Sequence, residues 1–98
     1  MDKDALMIST LSNALIDLQV KYRSYPVLER IKIRPELEGL LREFSAYQLK
    51  LLDEGVITTD QDLQEMKQIK EGIDQAADEQ QMILAIGKTL GWIAGKVL

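Results

Sequence analysis

Carboxylates are the commonest groups in this chain that could do chemistry, sixteen against twelve lysines and arginines, with no histidine and no cysteine. Neighbouring acids such as Glu36/Glu38 and Asp78/Glu79 could run acid–base steps only if burial separated their pKa values. Both pairs fall on polar faces or at helix caps. The absence of histidine removes the commonest general base near neutral pH and the commonest transition-metal ligand. The absence of cysteine removes thiolates and disulfides. A di-iron bundle needs Glu-x-x-His motifs and is excluded on the same ground. The expectation is a protein that is not an enzyme, with no cofactor and no metal.

Two spacings imitate known sites. Gly87-Lys88-Thr89 matches the end of a phosphate-binding loop, but position 82 is Met where that loop needs glycine, and no strand precedes it. Asp60, Asp62, Gln64 and Glu71 match four positions of a calcium-binding loop, yet Glu65 stands where the sharp turn requires glycine. A basic stretch is the third candidate. Lys21, Arg23, Arg30, Lys32 and Arg34, with Tyr22 and Tyr25 between them and Glu29 the one acid, give the segment a local +4 and could hold an anionic ligand or stack single-stranded bases. The segment Asp53 to Glu79 carries a local −7 and competes for those cations. With a net charge of −4, nucleic acid is a disfavoured partner.

The remaining signal is steric. Gly87, Gly91 and Gly95 repeat at four-residue spacing within the apolar segment 82–98. Glycine costs about 1 kcal/mol relative to alanine in a helix, so three on one stripe imply a backbone approached closely by another helix. Gly87, Gly91, Gly95, Leu90, Ala94 and Trp92 are the candidate interaction residues. A helical wheel places Ile83, Ile86, Leu90, Ile93, Ala94 and Val97 on one arc and Lys88, Thr89, Trp92 and Lys96 opposite. That arrangement is amphipathic rather than membrane-spanning, since a span needs about 20 apolar residues without a wet face.

The elements that position these residues read as helices throughout. Ile8, Leu11, Leu15, Leu18 and Tyr22 form a heptad seam on a helix of about 4–22. Pro26 stops it, residues 23–34 form a connector, and Pro35 opens a second helix of about 35–54 that ends at Gly55. A third helix starts near 59, through Thr59/Asp62 or the stricter capping box Thr58/Gln61. It runs to 98 as one long rod, with a break near 78, capped by Asp78 and Gln81, as the alternative. The short 52–59 connection predicts an antiparallel hairpin of the second and third helices.

The fold class expected is all-α: a single domain, 1–98, of three main helices in a helical hairpin or bundle with a long C-terminal helix, completed by homo-oligomerisation. The function expected is that of a non-enzymatic, cytoplasmic interaction or assembly protein, a scaffold or adaptor. It would self-associate as a homodimer or higher even oligomer through the heptad face and a glycine zipper, or meet another helical protein. The alternative is a peripheral membrane protein that binds lipid through the amphipathic helix 82–98.

Overall fold

The computed structural model describes residues 2–97, and four helices account for nearly all of them: α1 (Lys3–Ser24), α2 (Val27–Asp53), α3 (Asp60–Gln75) and α4 (Glu79–Val97). The starts of α1 and α3 have a local chemical cause. Asp2 caps α1, its carboxylate accepting from Ala5 N at 2.7 Å. Thr59 and Asp62 form a reciprocal box at the start of α3, each side chain accepting from the other's backbone N–H at 3.0 and 3.1 Å. This is the Thr59/Asp62 start; Asp62 takes the place usually held by Glu or Gln.

The long C-terminal rod is not continuous, so the helix count is four rather than three. Asp78 accepts from Gln81 N at 2.9 Å, and Gln81 returns its amide oxygen to Ala77 N at 2.8 Å. These bonds satisfy N–H groups that an unbroken helix would have given to its own carbonyls. The opposite ends of the break are the carbonyls of α3, which carries no basic residue in its last turn. Lys21 of α1 supplies one, donating to the carbonyls of Ile73 at 2.7 Å and Ala76 at 3.1 Å, and to that of Asp74. A lysine at a helix C-terminus also meets the negative end of the dipole.

The connector 23–34 is corrected too. α2 begins at Val27 and passes through Pro35 instead of starting there. Proline in a helix interior costs about 3 kcal/mol and frees the carbonyl four residues back. That carbonyl belongs to Ile31, which lies with Pro35 on the exposed face, where water can satisfy it. On the other face Ile33 is fully buried in line with Leu37, Leu40, Tyr47 and Leu51. Burying one such side chain contributes about 2–3 kcal/mol, which offsets most of the proline's cost.

The four helices close one core. α1 packs between α2 and α3, and α4 packs between the same two from the other side. The α1/α4 and α2/α3 pairs therefore lie on the diagonals of the bundle, and the expected α2–α3 hairpin is not formed. Side chains set the directions. Lys3 meets Asp60 and Lys21 meets the end of α3, so α1 and α3 are parallel. Lys32 meets Glu79, and Lys50 donates to Lys96 O, so α2 and α4 are parallel as well. Residues 54–59 cross the bundle end diagonally. The radius of gyration is 13.4 Å, close to the ~13 Å of a compact chain this long. The predicted seam of α1 is used inside the chain: Leu11, Leu15 and Leu18 are buried, with Met7 and Ala14 beside them, and Ile8 and Tyr22 at its edge.

Candidate functional site

The faces of α4 follow from its two neighbours. At 100° per residue, Met82, Ile86, Thr89 and Ile93 line one stripe, and all four are buried. Thr89 was expected on a wet side. Instead it faces the core, its hydroxyl donating to Ala85 O at 2.8 Å, which satisfies it within its own helix. Leu90 turns toward α2, where a Cβ on Gly39 would stand 3.8 Å from its Cδ2. That is an ordinary contact distance, so the packing of α2 on α4 does not require glycine at position 39.

The other flank of α4 meets α3. Trp92 packs edge-on against Tyr47, ring centroids 5.7 Å apart at 78°, and donates through Nε1 to Glu65 at 3.2 Å. Lys96 lies 5.1 Å from the Trp92 ring centroid and donates to Asp62 Oδ1 at 2.6 Å. Of the residues assigned to a solvent side, Lys88 alone is exposed. A single-helix wheel misplaced the others because α3 covers that flank with acids that Trp92 and Lys96 can bond.

Gly87, Gly91 and Gly95 point away from the bundle. All three are exposed, and a Cβ on any of them would meet nothing within 4 Å. None has a positive φ, so neither backbone conformation nor intrachain contact requires glycine at these positions. Ala94 is half-buried beside them. Of the six candidate interaction residues the structure leaves the glycines open, while Leu90 and Trp92 are engaged with α2 and α3. Beside the stripe, a groove of about 380 Å³ opens between α3 and α4, with Gly72, Ala85, Lys88 and Trp92 among its lining.

Where α2 ends and α3 begins, a polar cluster holds the crossover. The Asp4 carboxylate accepts from Thr58 N at 2.8 Å and Ile57 N at 3.1 Å. Burial alone would raise its pKa, but the donors of Thr58 and Ile57 outweigh that and hold it below the usual carboxylate range. Asp62 has the same balance: burial pushes it up, and Lys96 and Thr59 bring it below normal. Tyr47, 2% exposed, has its phenol pushed up to about 12 by burial and by the charges of Asp62 and Asp4. Nothing in the spacing of Asp4 marks residues 57 and 58 as its targets.

The basic stretch is dispersed. Lys21 is held by the α3 carbonyls, Lys32 lies 3.6 Å from Glu79, and Arg34 donates through Nε to the Tyr22 hydroxyl at 3.2 Å. Arg30 Nε is buried without a partner, and Arg23 stands exposed. The five do not converge on one ligand.

In comparison with known proteins, no family model, no curated protein and no solved structure matches this chain. Among the described residues no helix is long and apolar enough to cross a membrane.

Proposed function

We propose that this protein is a non-enzymatic helical assembly protein, a small scaffold or adaptor that self-associates through the outward glycine stripe of α4. The observation that carries the reading is the open space over Gly87, Gly91 and Gly95. Three helical glycines that no intrachain contact uses cost about 2–3 kcal/mol relative to alanines, and a helix seated on them would account for the expense. The heptad face of α1 drops out of the proposal, since its leucines form the chain's own core. The lipid reading of segment 82–98 loses its anchors, because Trp92 and Lys96 are engaged with Glu65 and Asp62.

Gly91→Leu tests this. It places a branched side chain on the exposed stripe, at a position where a Cβ meets nothing within 4 Å in the fold. Loss of self-association with retained helix content is the expected result. An unchanged mass in solution sinks the reading.

A further inference from the structure

The large apolar residues that this bundle leaves exposed lie mainly on α1, α2 and the loop after them. From Ala5 to Ile16 the chain runs twelve residues without a charge. On the outer groove between α1 and α2, Ile16, Leu41, Leu52 and Val56 stand 36 to 64% exposed. The exposed side chains of α3 differ in kind: Gln61, Gln64, Gln68 and Gln75 are polar and need no cover.

Charge is distributed unevenly along that groove. At the α1–α2 turn it carries Arg23 and Arg34, the latter fixed by Tyr22 across the two helices and near the charge of Glu38, so that the arginines exceed the acid by one. At its far end is a depression of about 350 Å³ whose lining combines Ala5, Ile8, Leu52 and Val56 with the carboxylates of Asp2 and Glu54. Among the described residues neither Arg23 nor Glu54 takes part in an ion pair. A face that is positive at one end, aliphatic along its length and negative at the other is complementary to itself after a two-fold rotation across the helices.

We infer that the α1/α2 face binds a second copy of this chain in antiparallel orientation. The arginine of one protomer enters the partner's acidic depression, and the aliphatic strips meet between the two ends. Such an isologous contact uses every charge twice, Arg23 against the partner's Glu54 and Glu54 against the partner's Arg23. Arginine suits the role because its planar fork bonds carboxylates in pairs. An unrelated acidic partner would also meet the arginines, but it would leave Asp2 and Glu54 facing its own negative charge. This inference does not rest on the α4 reading, and the two surfaces lie on different layers of the bundle. If both contacts form, the assembly is even-numbered and larger than a dimer.

The test is charge reversal read by light scattering at fixed concentration and low salt. Arg23→Glu and Glu54→Arg each set like charges against each other in a homomeric contact, and each halves the mass of the wild-type species. Mixing the two variants restores it, because both pairs are then opposite in sign. Both positions are exposed, and circular dichroism checks that the fold is kept. A wild-type monomer of 11.1 kDa overturns the inference. So do single reversals that leave the mass unchanged, or a mixture that does not recover it. A mass halved by Gly91→Leu but not by Arg23→Glu also overturns it, while leaving the α4 reading in place.

Discussion

Lys96 Nζ lies 2.6 Å from Asp62 Oδ1, tying the last turn of α4 to the first turn of α3. Asp62 already serves the Thr59 capping box, so one carboxylate starts a helix and holds the end of another. Around this pair, Trp92, Glu65 and Tyr47 join three helices at the end where 54–59 crosses the bundle. The fourth helix is anchored on this flank, and its glycine stripe is turned outward.

The first prediction concerns acid. Folding holds the Asp4 and Asp62 carboxyls below the ordinary aspartate value of 3.8, so their contribution to stability is present above that value. It is lost as pH falls through the folded values, because the unfolded chain takes up protons first. Urea midpoints should therefore decline below about pH 4, as expected from the carboxylate range. Asp4→Ala should flatten part of that decline and lower stability at pH 7 by about 1–3 kcal/mol, since the N–H groups of Ile57 and Thr58 lose their acceptor. A full acid response in Asp4→Ala would remove Asp4 from this account.

At the alkaline end the sign is opposite. Tyr47 has its phenol at about 12 against 10.0 for the free group. The unfolded chain therefore loses that proton first as pH rises. Stability contributed by the neutral phenol is complete below pH 10 and falls away between about 10 and 12, by roughly 2–3 kcal/mol. Tyr47→Phe should lack that step in a series of thermal melts. If both proteins lose stability in parallel above pH 10, the buried phenol is not the cause.

Pro35→Ala separates two readings of α2. If Pro35 opened the helix, its replacement would be neutral or slightly harmful. Inside the helix, as observed, replacement restores an N–H and relieves the ring's clash, raising stability by about 1–3 kcal/mol. Chemical denaturation decides between them by its sign.

The difference at Pro35 illustrates what the sequence conveys. Periodicity marked the core of α1 correctly, because heptad spacing is a property of one helix and Leu11, Leu15 and Leu18 obey it. It could not show that Ile33, upstream of a proline, is fully buried, since that depends on the neighbours α2 finds. The Asp78/Gln81 cap was legible as an alternative, but its choice depends on Lys21, more than fifty residues away, covering the carbonyls of α3. The glycine stripe was evident from spacing. Its direction was not, since a wheel drawn on one helix lacks the positions of α2 and α3. Trp92 and Lys96 were assigned to solvent for the same reason.

Lys21→Met follows from that long-range cap. It keeps the aliphatic stem and removes the charge that satisfies the carbonyls of Ile73, Asp74 and Ala76. A loss of about 1–3 kcal/mol is expected, charged hydrogen bonds being the stronger kind. Hydrogen exchange should quicken first in 70–81, where α3 ends and α4 begins. Uniform quickening across all four helices would mean that Lys21 supports the whole bundle rather than this junction.

The central claim is that the glycine stripe of α4, unused within the chain, is taken by a second copy. Its most direct test is the solution mass of wild type and Gly91→Leu, measured side by side by light scattering behind a sizing column. The account predicts a wild-type mass that is an even multiple of 11.1 kDa, halved by Gly91→Leu with helix content unchanged. A wild-type monomer, or a variant with the same mass as wild type, would contradict it.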